Sequence, residues 1–216
     1  MLLNNTFFPI NFWEGGQHQV LDVFSSTSGK KIVDLDSDAE VKYVFVVDNS
    51  DVDIEFNIKW SGSRLDVFGI FVGDVKSQVV TSLLANKSFA NVHLFCVVKD
   101  NSDISLDGNI VVGKDVEDVE GHLAEEQFLL WIPKKLFVRP VLDVHSHRVK
   151  ASHGAKIHTL DENKLFYMMA KWLSIQESQW IVIRWGLQSI FDTISDVDSE
   201  KKQKIFDQII VSIFNF

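Results

Sequence analysis

The chain has 216 residues, enough for a domain with a sizeable core, and 46% of them are hydrophobic. Its net charge of -9 argues against general binding to nucleic acid. The one cysteine, Cys96, excludes a disulfide within the chain and fits a reducing compartment. The first residues lack the charged start of a signal peptide, and no stretch approaches the roughly 18 consecutive apolar residues of a membrane helix. These features predict a soluble cytoplasmic protein that binds neither nucleic acid nor membrane.

The first two thirds of the chain is predicted to form β-strands. Residues 52–60 alternate apolar and polar side chains, which is typical of a strand with one buried face. Together with this run, further apolar runs lie 11 to 14 residues apart and begin near Val41, Leu65, Val79, Val92 and Ile104. Turn-forming clusters separate the runs, at residues 48–51, 61–63, 73–74, 100–103 and 107–109.

Many short strands at this spacing occur in sandwiches, barrels and β-solenoids, and the pattern does not choose among these architectures. The sequence contains no clean self-similar repeat, so it does not by itself indicate a solenoid. Asp107-Gly108 suits a tight hairpin, which mildly favours antiparallel strands at that point.

The pattern becomes helical after about residue 158. Asp161 is predicted to cap a first helix whose apolar positions are Leu165, Phe166, Met168, Met169 and Trp172. Ser174 and Glu177 form a capping-box signature for a second helix, and a third helix follows residues 195–199. We expect a β domain over residues 1–158 and a helical unit over residues 159–216. No proline- or glycine-rich linker separates the two, so the helices should dock on the strands.

Four of the seven histidines lie within fourteen residues: His145, His147, His153 and His158. On a strand, His145 and His147 would point to the same face and could supply two ligands to one metal ion. The alternative is that they are exposed polar positions on a basic rim. His153 precedes a glycine that suggests a tight turn, where a histidine is either structural or a ligand.

Residues 134–158 carry six Lys or Arg against one acid. This basic segment is either an ordinary solvated surface or a contact surface for an acidic partner.

Missing motifs exclude several enzyme classes. The chain has no Gly-x-Ser-x-Gly nucleophile elbow, no phosphate-binding loop and no dinucleotide-binding motif. Cys96 shares a strand face with Val92 and Val98, so burial is favoured over reactivity. Carboxylate pairs such as Glu125-Glu126 lack a context that would raise a pKa, and we interpret them as solvated. The sequence therefore predicts no catalytic residue.

Three segments carry a resemblance to a known family: Pro140-Val-Leu-Asp143, Val149-Lys-Ala-Ser-His-Gly-Ala155 and Leu160-Asp-Glu-Asn-Lys-Leu-Phe-Tyr167. They resemble the core of the SufB and SufD subunits of iron–sulfur cluster assembly, specifically over about residues 127–170. The resemblance implies a mainly β protein, namely a right-handed parallel β-helix capped by a small C-terminal helical unit. It also implies a non-ATPase scaffold that binds a SufC-like ABC ATPase. Such a scaffold pairs through its β-helix with a SufB-like subunit or with itself.

By position, His153 matches the family histidine that is thought to ligate iron or a cluster at the subunit interface. The helix after it matches the ATPase-contacting element, with candidate docking residues Asp161, Leu165, Phe166, Tyr167, Met169 and Trp172. Any iron–sulfur cluster or iron would be transient and shared with a partner subunit, with His145 or His147 as further candidate ligands.

The resemblance is to the SufD side of the family. Residues 124–127 lack the cysteine of SufB-type subunits, and His153-Gly-Ala-Lys156 stands where they carry His-Glu-Ala-Thr. The N-terminal helical domain of larger members is missing, which implies a chain reduced in size.

Two other functions stay open. One is an all-β binding module or a β-helix that acts on polysaccharide, which would need an exposed acidic or aromatic cleft. The other is a cupin-like metal-binding β-barrel that uses His145 and His147.

Overall fold

The computed structural model describes residues 2–4, 7–13, 15–159, 162–195 and 198–214. In this part of the chain, eleven strands precede three helices. The strands are β1 (Leu2–Asn4), β2 (Ile10–Phe12), β3 (Gln17–Ser25), β4 (Ser28–Leu35), β5 (Glu40–Ile58), β6 (Arg64–Leu83), β7 (Phe89–Val98), β8 (Asp103–Val112), β9 (Val119–Leu129), β10 (Lys135–Val144) and β11 (Val149–Thr159). The helices are α1 (Glu162–Met169), α2 (Ile175–Phe191) and α3 (Ser199–Phe214).

The strands stack in two ladders, and every strand pair in the described residues is parallel. The first sheet has the order β1-β3-β5-β6-β7-β9-β11, and the second sheet has the order β2-β4-β5-β6-β8-β10. The long strands β5 and β6 bend and contribute to both sheets. The chain therefore winds between the sheets in successive coils. This arrangement confirms the predicted right-handed parallel β-helix with its C-terminal helical unit and excludes the barrel alternative.

The coils differ in length, which explains why the sequence shows no regular repeat. Val41 pairs with Leu65, Leu65 with Ala90, Ala90 with Gly121, and Gly121 with Ala151. Successive coils are therefore 24, 25, 31 and 30 residues long. Self-similarity requires a fixed period, and here the interval changes after Ala90.

Two of the predicted turns are corners inside continuous strands. At residues 48–51 the structure has a register shift within β5, between Asp48 and Ser50. Asn49 has a φ of 46°, and Gly73 in the corresponding corner of β6 has a φ of 78°. These left-handed residues turn the backbone while both flanks keep their strand pairing. A Cβ on Gly73 would collide with the Asn49 side chain, so this corner requires glycine.

The hairpin predicted at Asp107-Gly108 is wrong. Both residues lie inside β8, which runs parallel to its neighbours β6 and β10. Gly108 instead faces the interior of the β-helix, where a Cβ at that position would collide with Glu125 Oε1.

Alternate residues of each strand fill the interior of the β-helix. In β8, half-buried and buried positions alternate along the whole strand, and Ile104, Leu106 and Ile110 are fully buried. Aromatic rings contribute to the core of the middle coils, where Phe45 and Phe71 pack edge to face with 5.6 Å between ring centroids. Burial of each such side chain stabilises the fold by about 1.5–3 kcal/mol.

The helical unit packs against the outer face of the first sheet. The predicted capping box opens α2: Ser174 Oγ accepts from the Glu177 amide at 3.2 Å, and Glu177 Oε2 accepts from the Ser174 amide at 2.7 Å. The buried sides of α2 and α3 share one apolar cluster with outward-facing strand residues. It includes Leu21, Val44, Val46, Ile70, Val72 and Val97 from the strands, and Ile183, Leu187, Phe191, Phe206 and Ile210 from the helices.

Hydrogen bonds reinforce this docking. Lys42 Nζ donates to the Thr193 carbonyl at 2.9 Å, and Ser212 Oγ donates to Asp48 Oδ1 at 2.8 Å. The expected docking of the helices on the strands is therefore confirmed, whereas the division into residues 1–158 and 159–216 stays a prediction. In the described residues, no helix has the length and apolar character needed to cross a membrane.

Candidate functional site

The strands β10 and β11 form the last coil and leave one end of the β-helix open. In the described residues, no strand pairs with their outer edges. Their side chains are mostly exposed or half-buried, in contrast to those of β8 and β9. Ile157 on β11 is 61% exposed, and Phe137 and Val144 on β10 are also exposed. A long open edge with exposed apolar side chains is a template for pairing with another chain.

His153 lies on β11, so the predicted turn at this residue is wrong. Strand pairing places it beside Leu123 of β9, which belongs to the interior core. His153 is therefore on the interior side of the last coil, where its exposed ring places Nδ1 at 3.2 Å from the Pro140 carbonyl. The next residue, Gly154, has no positive φ, and a Cβ there would meet nothing within 4 Å. Neither a turn nor a close approach explains this glycine.

His145 and His147 follow β10, which ends at Val144, so the strand face that they were predicted to share does not exist. His145 Nε2 lies 3.0 Å from Asp143 Oδ1. In the part of the chain that the structure describes, no three His, Cys, Asp or Glu side chains form a group that could hold a metal ion. The structure does not assemble these histidines and His153 into a ligand set, and their role as ligands stays a prediction.

The predicted docking residues lie on α1 and in the turn after it. Phe166, Tyr167 and Trp172 are 75%, 65% and 97% exposed, Met169 is exposed, and Leu165 is half-buried. Asp161 lies outside the described residues, and so does its predicted capping interaction. Aromatic side chains that are exposed together are typical of protein contact surfaces.

A chain of hydrogen bonds crosses the outer face of the first sheet beside His153. Glu120 Oε1 lies 2.9 Å from His122 Nε2, and His122 Nδ1 lies 2.7 Å from Ser152 Oγ. The hydrogen bond from His122 holds the pKa of Glu120 below its usual range. His122 and Ser152 line a shallow cavity of about 380 Å³ between β7, β9 and β11, which His153 also lines. The side chains of His122 and Ser152 lie on the outer face, whereas the His153 side chain lies on the interior side, so this chain of hydrogen bonds does not include His153.

Glu125 is a candidate that the sequence analysis missed. The interpretation of this residue as a solvated carboxylate is wrong, because its side chain faces the interior and is 1% exposed. In the described residues, neither carboxyl oxygen has a hydrogen-bond partner of normal geometry. Burial raises the pKa of Glu125 to about 8, an effect that the nearby Gly108 backbone partly offsets. The alternation of interior and outer positions along β9 could have predicted this burial, because Glu125 lies on the same side of the strand as Leu123.

Cys96 is buried, as predicted. Burial raises the pKa of its thiol to about 12, and the nearby Glu125 carboxyl adds to this effect. The side chain is therefore a protonated thiol at neutral pH and is neither a nucleophile nor a ready metal ligand.

Comparison with known proteins places these features in a family. The family model described as "SUF system FeS cluster assembly, SufBD core domain" matches residues 20–184. The chain is 26% identical to the iron-sulfur cluster assembly protein SufD of Escherichia coli over 114 residues, which are 50% of this chain and 27% of that protein. It is 22% identical to the chloroplastic protein ABCI7 of Arabidopsis thaliana over 166 residues, which are 67% of this chain and 35% of that protein.

The matched segments span about a quarter to a third of the lengths of these two relatives. The family model, in contrast, covers most of this chain. Its match runs from β3 into α2 and includes the open end of the β-helix, His153 and α1. The chain therefore belongs to the SufBD core family of the SUF system for iron–sulfur cluster assembly.

Proposed function

We propose that the chain is a non-ATPase scaffold subunit of a SUF-type iron–sulfur cluster assembly complex and has no catalytic activity of its own. The observation that carries the proposal is the family match over residues 20–184. The open end of the β-helix and the exposed aromatic residues of α1 support it, because both are surfaces suited to partner subunits.

The surface proposed for a SufC-like ABC ATPase consists of Phe166, Tyr167, Met169 and Trp172. Burial of one large apolar side chain in such a contact contributes about 1.5–3 kcal/mol. The following helix, α2, is anchored to the first sheet through Ile183 and Leu187. A bound ATPase would therefore contact α1, and the helix that follows α1 is packed on the β-helix.

Co-purification with the ATPase tests this proposal. Wild-type protein should be retained by the tagged ABC ATPase of the same organism at micromolar concentration, and Trp172→Ala should weaken retention by about tenfold or more. Trp185→Ala is the matched control, because Trp185 is 74% exposed on α2 and lies outside the proposed surface. Absence of wild-type retention, with and without ATP, would contradict the proposal.

The open end formed by β10 and β11 is the proposed pairing surface. Residues 134–158 span both strands and carry six Lys or Arg against one acid. Like charges oppose the pairing of two identical copies, so the proposal favours a SufB-like partner with an acidic edge over a homodimer. Light scattering of the chain alone, and of the chain co-expressed with a SufB-like subunit, distinguishes a homodimer from a heterodimer.

Iron, or an iron–sulfur cluster, is the proposed cargo, held transiently and shared with the partner. His153 is its first candidate ligand, because it is exposed on the interior side of the last coil, next to the proposed pairing surface. His145 and His147 follow β10 in the same coil and are further candidates. Anaerobic Fe²⁺ titration of the paired complex, with His153→Ala compared with His145→Ala, tests which histidine contributes.

A further inference from the structure

We propose that a column of stacked rings on the outer face of the first sheet continues into the partner subunit. The partner strand would place an aromatic side chain on His158 and an acidic side chain beside Lys156. The column consists of Phe95, Phe128 and His158. This inference rests on the proposed function for pairing at the open end of the β-helix. It adds the chemistry and the register of the strand that pairs with β11.

Three rings from neighbouring strands form the column. The Phe95 and Phe128 ring centroids are 4.5 Å apart with an interplanar angle of 28°, and the Phe128 and His158 centroids are 4.3 Å apart with an angle of 15°. The rings come from β7, β9 and β11, which are consecutive in the first sheet. Because neighbouring strands lie roughly 4.8 Å apart, each strand adds one ring to the column.

The column ends at His158 because β11 is the last strand of this sheet. In the described residues, no strand pairs with the outer edge of β11. One face of the His158 ring stacks on Phe128, and the side chain is 24% exposed. Directly opposite residues of paired strands have their Cβ atoms about 4.5–5.5 Å apart. An aromatic side chain opposite His158 would therefore cover the other face of the imidazole ring.

The rings beneath His158 are held in place before any partner binds. Phe95 and Phe128 pack against the apolar cluster that α2 and α3 share with the first sheet. A Cβ on Gly186 of α2 would lie 3.4 Å from the Phe95 ring, so α2 passes directly over this ring. Glu126 Oε2 lies 2.6 Å from His158 Nε2 and orients the imidazole. Binding therefore requires little further ordering of these side chains, which favours affinity.

The charges along β11 give the partner strand a second requirement. The residues of β11 on the outer face are Lys150, Ser152, Gly154, Lys156 and His158. Both lysines are exposed. Lys156 pairs in register with Glu126, but that carboxylate lies against His158 instead. A strand with an acidic side chain opposite Lys156 would complement this edge, whereas a second copy of β11 would bring further lysines to it.

Isothermal titration calorimetry with a separately purified SufB-like subunit tests the stacking contact. His158→Ala removes the last ring and should weaken binding by about five- to tenfold, because an aromatic pair contributes beyond the area that it buries. His158→Phe keeps a ring and should bind within about threefold of wild type. His93→Ala is the matched control and should bind within about twofold of wild type. His93 lies on the same outer face, but on β7, two strands from the open edge.

The charge requirement has its own readout. Wild-type binding should weaken as the salt concentration rises from about 0.1 M to about 0.5 M, because salt screens exposed charges. Lys156→Ala should weaken binding at low salt and reduce this salt dependence. An equally steep salt dependence in wild type and Lys156→Ala would contradict the proposed acidic contact.

Nuclear magnetic resonance of the chain labelled at histidine separates stacking from an indirect effect of the substitution. Addition of the unlabelled partner should shift the His158 ring signals upfield, as a stacked aromatic ring does, and should leave the His93 signals in place. This readout uses wild-type protein, so it decides the question by itself if His158→Ala folds poorly. Unmoved His158 signals in the complex would overturn the inference.

The binding data also separate this inference from the proposed function. Equal binding by wild type and His158→Ala, or equal weakening by His158→Ala and His158→Phe, would overturn the stacking contact and leave the pairing proposal intact. Failure of wild type to bind the SufB-like subunit would overturn the pairing proposal together with this inference. Weak binding by His158→Ala that His158→Phe restores supports both.

Discussion

Tyr43 Oη donates a hydrogen bond to Asp22 Oδ2 over 2.5 Å inside the β-helix. Both residues are fully buried. Lys31 Nζ lies 3.8 Å from the same Asp22 oxygen and donates to the Phe8 carbonyl at 2.9 Å. An apolar interior surrounds this polar group, so each member depends on the others for compensation.

Tyr43→Phe should lower the free energy of unfolding by about 1–3 kcal/mol, because it leaves the Asp22 carboxylate with an unmade hydrogen bond. Urea denaturation measures the change. In an Asp22→Asn background the same substitution should cost less, since the charged acceptor is gone. Equal costs in the two backgrounds would show that the two side chains are not coupled.

The Asp22 group should also make stability depend on pH. Burial raises the pKa of Asp22 from 3.8 to about 6, although the Tyr43 hydrogen bond and Lys31 oppose the shift. The folded protein therefore holds this proton more tightly than the unfolded chain does. Its contribution favours folding most below about pH 4 and is lost as the pH rises to about 6.

Wild type should accordingly lose on the order of 2 kcal/mol relative to Asp22→Asn between about pH 4 and pH 6. Urea denaturation of both proteins at closely spaced pH values gives this difference. A difference that stays constant over the range would mean that Asp22 does not titrate in the folded state as inferred.

Leu187→Ala should lower the free energy of unfolding by about 2–5 kcal/mol, because Leu187 is fully buried between α2 and the first sheet. Trp185→Ala on the exposed side of the same helix should change it by less than about 0.5 kcal/mol. Similar values for the two variants would contradict the docking of α2.

Ile157→Asp should weaken pairing with a SufB-like subunit by about tenfold or more, since it replaces an exposed apolar side chain on the open edge of β11 with a negative charge that the proposed acidic partner edge repels. Val211→Asp, on the exposed side of α3, is the control. Isothermal titration calorimetry with the separately purified partner measures both affinities. Unchanged pairing by Ile157→Asp would place the interface elsewhere.

Secondary structure was predictable where local signals decide it. The capping box at Ser174 and Glu177 identified the start of α2, and the alternation over residues 52–60 matches β5 as far as Ile58. Strand pairing was not predictable from these signals, because it joins residues 19 to 32 positions apart. The turn-like pair Asp107-Gly108 carries no information about such distant partners, and the β-helix was expected only from the family resemblance.

The candidate site was predictable only in part. Glu125 and Glu126 are identical neighbours in the sequence, yet one is buried and the other pairs with His158 at the surface. Because Leu123 lies on the same side of β9 as Glu125, the sequence could have predicted that Glu125 is buried and that Glu126 is not. The position of His145, in contrast, depends on where β10 ends, and no glycine or proline in residues 141–147 marks that end.

The hydrogen bonds between the helical unit and the early strands have a consequence for folding. Coils of a solenoid contact only their neighbours, so such proteins can unfold from either end in steps. Here Ser195 accepts a hydrogen bond from Gln19 at 3.1 Å, and Lys42 donates to Thr193 at 2.9 Å, which ties β3 and β5 to residues synthesised far later. The outer apolar face of the first coils therefore stays uncovered on the ribosome until α2 and α3 emerge. Unfolding should accordingly involve the early coils and the helices as one cooperative unit.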